Sequence, residues 1–236
     1  MDWPAGRLRL HSGPGTSGAL TNERGFAVKK MLLISVAVLC ATSAMAAKDY
    51  FNRSSLGNNW QVPYPTLSIS NDQLVGTSLA LGYNTKSGND NQAWATVYLN
   101  STDVEYGAVA IGDVANGTNA FVKIQDSTGI GEFDYGAFYT GNNGGGDYFA
   151  LDSAVPSPAK LIVTICGTTA IMKIKSSAGI QKYQYDYGTS VGTGGGLGTY
   201  GEVSLDNYKS KNTGCTDAEG AKWVTPSSLK DPTLSK

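Results

Sequence analysis

The chain has 236 residues, 41% of them hydrophobic, with 18 Lys+Arg against 19 Asp+Glu and a single histidine. That length and hydrophobic content suit a domain with a substantial core. The charge balance lacks the basic surplus of a nucleic-acid binder, so that partner class is not expected.

Residues 1–27 form a Pro/Gly/Arg-containing stretch without hydrophobic periodicity and are predicted to be a leader that is disordered or never translated. If Val28 is the true start, the chain opens Met-Lys-Lys-Met-Leu-Leu. Lys29 and Lys30 precede an apolar run, Met31 to Ala41, and then the small residues Ala44-Met45-Ala46. Basic, apolar and small-x-small segments in that order predict a bacterial-type signal peptide over 28–46, cleaved after Ala46 or Ala47. The run is shorter than the roughly 20 residues that span a bilayer. The mature chain is therefore expected to be secreted or periplasmic, with no transmembrane anchor. Leu39, bulky where a lipoprotein signal needs a small residue, argues against a lipid anchor at Cys40.

Cleavage removes Cys40 and, with the leader, His11. Thirteen Lys+Arg and seventeen Asp+Glu remain, a net charge of 13 − 17 = −4, and Arg53 is the one arginine left. Without histidine the mature chain has no Ser-His or Cys-His nucleophile pair and no imidazole metal ligand. Cys166 and Cys215 are an even pair in an oxidising compartment and are predicted to form a disulfide. Closing 49 sequence steps is worth roughly 3–4 kcal/mol on the chain-entropy model. The alternative is two free thiols, with Cys166 a small buried apolar residue.

Between Ala47 and Cys215, short runs rich in Val, Ile, Thr, Tyr and Phe alternate with a period of two and are broken by Gly/Asn/Asp/Ser clusters. They predict strands over 49–52, 60–62, 67–70, 73–75, 93–99, 105–111, 120–125, 132–139, 161–166, 170–175, 181–187 and 202–208. Cys166-Gly-Thr-Thr-Ala170 reads as a hairpin tip. Residues 142–147 and 192–198, both glycine-rich, read as flexible surface loops. Residues 216–236 are polar, contain Pro226 and Pro232, and read as a tail held by Trp223. So many strands in one chain predict an all-β sandwich or barrel.

Asp49-Tyr-Phe51, Leu56-Gly57, Trp60 and Leu67-Ser-Ile-Ser-Asn-Asp-Gln-Leu74 resemble the opening of concanavalin A-like jelly rolls, the superfamily of laminin-G modules, legume-type lectins and family 16 glucanases. The hairpin over 161–175 and Gly201-Glu-Val-Ser-Leu-Asp-Asn-Tyr208 resemble its penultimate hairpin and last strand. The resemblance implies an antiparallel jelly-roll β-sandwich over 47–215, and a ligand that is a polysaccharide or cell-surface glycan, usually held on the concave sheet. Cleaving members carry Glu-x-Asp-x-(x)-Glu on one strand. Here Glu132-Phe-Asp134-Tyr-Gly136-Ala137 has the first two carboxylates and lacks the second glutamate, so retaining hydrolysis, which needs paired carboxyl groups, is disfavoured.

Carbohydrate recognition asks for aromatic faces and nearby amides or carboxylates. Ala95, Val97 and Leu99 read as the core side of their strand, which leaves Trp94 and Tyr98 outward. The expected groove holds Trp94, Tyr98, Glu132 and Asp134, with Phe133, Tyr135 and Tyr139 on the opposite face of their strand. No cofactor is required, although Asp49 and Asp206, near the first and last strands, could share a calcium ion as edges of related jelly rolls do. The leading expectation is a non-catalytic glycan-binding domain. The alternatives are a structural or surface-interaction protein without a small ligand, and a glycoside hydrolase with an atypical carboxylate pair.

Overall fold

A computed structural model describes residues 47–62, 67–76, 80–101, 105–111, 120–140 and 146–225. The predicted leader and signal peptide over 1–46, residues 142–145 of the predicted glycine-rich loop and residues 226–236 lie outside the described residues.

Two sheets face each other. The nine-stranded sheet runs β16 (Lys222–Trp223), β13 (Gly179–Asp186), β12 (Thr169–Ser176), β11 (Ala159–Cys166), β6 (Gln92–Tyr98), β15 (Ser204–Lys211), β4 (Gln73–Gly76) and β3 (Leu67–Ser70), with β1 (Lys48–Asp49) added along β15. The seven-stranded sheet runs β10 (Gly146–Pro156), β9 (Glu132–Thr140), β8 (Ala120–Asp126), β7 (Glu105–Ile111), β14 (Gly195–Tyr200), β5 (Ala80–Asn84) and β2 (Trp60–Gln61). Pairing is antiparallel throughout except for β16, which lies parallel to β13. The two ends of the strand order in sequence come together where β1 pairs with β15, which itself lies between β6 and β4. This is the predicted antiparallel sandwich.

Alternation sets what each strand buries. Ala93, Ala95 and Val97 of β6 are fully buried, as are Val122 and Ile124 of β8, Leu161 and Val163 of β11 and Leu197 of β14. The sheets approach so closely that a Cβ on Gly107 of β7 would strike the Val97 side chain. Aromatic rings fill both ends of the core. Phe138 stacks on Phe149 and Tyr185, while Trp60 meets Tyr208 edge-on at 5.0 Å. Each fully buried side chain of this size contributes roughly 1.5–3 kcal/mol through apolar burial. The Tyr208 hydroxyl is met by a buried network in which Ser87 Oγ bonds both Tyr208 and Ser210, and Ser210 Oγ donates to Asp90.

The structure departs from the predicted elements in three places. The glycine-rich stretch read as a loop becomes, from Gly195 onward, the central strand β14, paired with both β7 and β5. Its glycines are required by close approach: a Cβ on Gly195 would strike the Tyr208 hydroxyl, and one on Gly196 would sit 2.5 Å from the Gly82 carbonyl oxygen. Strands β5 and β10 also form where no strand was expected. The segment after Cys215 docks through residue 225. Asp217 accepts from Lys173 and Gln92, Gln184 donates to the Ala221 carbonyl, and β16 pairs with β13, although Trp223 itself stays 62% exposed. The Cys166–Cys215 disulfide anchors this segment, with a Cα separation of 5.7 Å. The β11–β12 hairpin has the expected tip, Cys166 opposite Thr169 with Gly167 at φ +66°.

Candidate functional site

The structure does not bring Trp94, Tyr98, Glu132 and Asp134 together. Trp94 and Tyr98 lie on β6 of the nine-stranded sheet, half-buried and facing away from the core as expected. Glu132 and Asp134 lie on β9 of the other sheet. Periodicity orients side chains on a strand but does not say which sheet the strand joins.

Asp134 is occupied by the β8–β9 turn, accepting from the Ser127 amide and hydroxyl and from the Thr128 hydroxyl. Asp126 beside it accepts from the amides of Thr128, Gly129, Ile130 and Gly131. These two carboxylates build a turn, which is ordinary local work for aspartate. Gly136 points inward, where a Cβ would lie 2.6 Å from Phe149. Ala137 is fully buried opposite Lys123 and Tyr148, so neither position supplies a second carboxylate.

The outward side of the seven-stranded sheet carries a different set of groups. Val122 and Ile124 turn inward, which leaves Phe121, Lys123 and Gln125 on the other side of β8. Tyr139 stands opposite Phe121, and their rings stack at 4.8 Å. Tyr148 of β10 meets Tyr139 edge-on at 5.9 Å and donates its hydroxyl to that of Tyr139 at 2.9 Å. The Lys123 ammonium lies 4.6 Å from the Tyr148 ring centre and 5.7 Å from that of Tyr139. Tyr135, half-buried, stands opposite Gln125. Phe133, by contrast, belongs to the core.

Gln125 is fully buried, and among the described residues neither its amide nitrogen nor its amide oxygen has a hydrogen-bond partner. Leaving a buried polar group unpaired costs about 1–3 kcal/mol, so such groups call for an explanation. Rings that stack on pyranose C–H groups, beside one donor and one acceptor for hydroxyls, form a carbohydrate-type recognition set. The alternating Phe121-Val-Lys-Ile-Gln125 signals the strand in the sequence, but nothing local marks Gln125 as unpartnered.

On the nine-stranded sheet, the Trp94 ring lies beneath two ammonium groups, Lys160 at 4.9 Å and Lys211 at 5.7 Å. Burial, and then the neighbouring charges of Lys175, Lys209, Lys211 and Lys173, lower the Lys160 pKa. Burial and the Asp206 charge raise that of Tyr98.

Asp49 does not fit a calcium ligand. Its oxygens accept from the Phe51 amide, the Trp60 indole and both terminal nitrogens of the Arg53 guanidinium, which already supplies a cation. Burial pushes its pKa up, but the bonds from Arg53, Trp60 and Phe51 outweigh that and hold it below the ordinary value. Asp206 bonds its neighbour Asn207, at both backbone and side-chain nitrogen. No group of three or more His, Cys, Asp or Glu side chains suited to a metal occurs among the described residues.

No protein-family model and no curated protein sequence matches the chain. Solved structures do. A prokaryotic β-1,3-1,4-glucanase (lichenase) derived from a mouse hindgut metagenome superposes with a TM-score of 0.50 at 8% identity, covering 71% of this chain and 99% of that one. The apo Crh5 transglycosylase gives 0.50 at 10% identity, covering 73% and 86%. The carbohydrate-binding module CBM66 from Bacillus subtilis gives 0.46 at 13%, covering 66% and 98%. What the first two share with this chain is the fold alone, and that fold is the concanavalin A-like jelly roll.

Proposed function

We propose that this protein is an exported carbohydrate-binding domain whose ligand lies on the outward side of the seven-stranded sheet. Export rests on the signal-peptide pattern over 28–46. The observation that carries the binding reading is the buried amide of Gln125, unpartnered among the described residues, opposite Tyr135 and on the same side of β8 as the stacked Phe121 and Tyr139 rings four residues along. A sugar hydroxyl, directly or through one bridging water, would satisfy both ends of that amide. The half-buried Phe121 and Tyr139 rings would take the apolar side of the pyranose, with the buried Tyr148 holding the Tyr139 ring through its hydroxyl.

Binding is favoured over cleavage because Ala137 stands where a second glutamate would be needed and Asp134 is held by its own turn. The lichenase likeness suggests a β-1,3-1,4-glucan as the first probe in a panel of neutral polysaccharides. Titration calorimetry of the purified protein checks this. Tyr148→Ala and Gln125→Leu are each expected to weaken binding about tenfold, roughly 1.4 kcal/mol, with Trp94→Ala unchanged. Absence of binding to every polysaccharide, or binding that only Trp94→Ala disturbs, would overturn the assignment.

A further inference from the structure

The register of the nine-stranded sheet assembles lysines from distant parts of the chain on its outward side. Reading directly across the strands gives Lys182, Lys173, Ile162, Trp94, Lys209 and Lys48 in one row. At about 4.8 Å per strand the row spans roughly 24 Å. Lys175 and Lys160 stand opposite each other in the adjacent row, and Lys211 pairs with Gln92 on the other side. Seven lysines thus share one face of a chain that is acidic after Ala46.

Most of this charge is unneutralised. Lys173 pairs with Asp217 at 2.7 Å, and Lys182 reaches the Glu219 carbonyl. Lys48, Lys160, Lys175, Lys209 and Lys211 have no carboxylate partner among the described residues. The ammonium groups are positioned as well as concentrated. Lys160 and Lys211 rest on the Trp94 ring, and Lys209 on that of Tyr50 at 5.5 Å. Contacts of this kind limit the freedom of long side chains before any ligand arrives. The lowered pKa of Lys160 reflects burial and the crowding of like charges, which a bound anion would relieve.

We propose that this face docks a linear acidic polysaccharide carrying a carboxylate on each sugar, at a site separate from the neutral-glycan platform on the other sheet. Charge complementarity selects a polyanion, and the row geometry selects an extended one. Lys182 and Lys173 lie at one end of the row and Lys209 and Lys48 at the other, with Lys160 and Lys211 over the central Trp94, so an extended chain of carboxylates laid across the strands meets ammonium groups along its length. The apolar residues at the centre of the face are covered, Ile162 at 8% and Ile171 at 1% exposure, and offer nothing to insert into a lipid surface. Trp94 thereby acquires a role other than sugar stacking: it holds two ammonium groups in place.

Affinity electrophoresis of the purified protein in polygalacturonate tests this at low and at physiological ionic strength. Retardation is expected, weaker at the higher salt because exposed charges are screened, and absent in neutral dextran. Lys160→Gln with Lys211→Gln should weaken binding about tenfold. Lys86→Gln with Lys222→Gln, the same charge change elsewhere, should change it less than about twofold. Neutral-glucan binding should be the same in both double variants, which separates this site from the platform. No retardation, equal loss in both double variants, or binding to phosphatidylglycerol vesicles but not to polygalacturonate would overturn the proposal.

Discussion

On the seven-stranded sheet the outward positions hold aromatic rings, one buried ammonium and an unpartnered amide; on the nine-stranded sheet they hold ammonium groups around a single indole. Both surfaces back onto one core and obey the same alternation. Inward positions on both sheets are mostly Ala, Val, Ile, Leu and Phe, nearly interchangeable in chemistry, so this aliphatic majority of the core does not distinguish the two. The sheets differ most at the outward residues, where the proposed ligands are neutral and hydroxylated on one surface and anionic on the other. The faces also differ in support: the segment after Cys215 docks chiefly on the nine-stranded sheet and reaches the other through one exposed ion pair, Lys222 with Asp152 of β10.

That asymmetry is most strongly probed by removing the disulfide. Cys166→Ser with Cys215→Ser should cost roughly 3–4 kcal/mol in a denaturant titration. It should also free Asp217 from Lys173, changing polyanion binding while neutral-glucan binding persists. Equal disturbance of both activities would show that the faces are not independent. Gly196→Ala probes the other sheet. Its Cβ would press on the Gly82 carbonyl, and backbone cannot yield cheaply, so a loss of about 1–3 kcal/mol is expected, with the platform harmed and the lysine face spared.

Gln125→Leu should raise stability by about 1–2 kcal/mol, because it removes an unsatisfied buried amide with little change in shape, while glycan binding falls. A gain in stability with binding intact would leave the amide without a functional role. The smallest effect belongs to Asp217→Asn, a loss of up to about 1 kcal/mol for a partly exposed ion pair. The Lys173 bond holds the Asp217 pKa below its ordinary 3.8, against the opposing effect of burial. The pair therefore contributes fully above pH 3.8 and is lost as pH falls through the depressed folded value. In thermal melts across that range, the variant should lack this acid-side loss.

Much of the fold was legible because alternation survives wherever one side of a strand is buried. The strands over Leu67–Ser70 and Glu105–Ile111 and the hairpin through Gly167 lie where the pattern places them. Strand β14 was illegible because Gly195 and Gly196 carry no pattern, and their need to be glycine comes from Tyr208 and Gly82, remote in sequence. The outward set of Trp94 and Tyr98 was legible for the same reason as the strands. Its expected union with Glu132 and Asp134 failed because strand pairing is a non-local choice, and it placed β6 and β9 in different sheets. An unpartnered amide such as that of Gln125 can be recognised only once its neighbours are in place.

The side-chain amide of Gln125 is itself a direct reporter of the proposed platform. In a proton–nitrogen correlation spectrum titrated with a β-1,3-1,4-glucan tetrasaccharide, its two N–H signals should shift with saturable dependence, while the Trp94 indole N–H stays fixed. Movement of the Trp94 signal with Gln125 unchanged, or no movement at either, would contradict carbohydrate binding on the seven-stranded sheet.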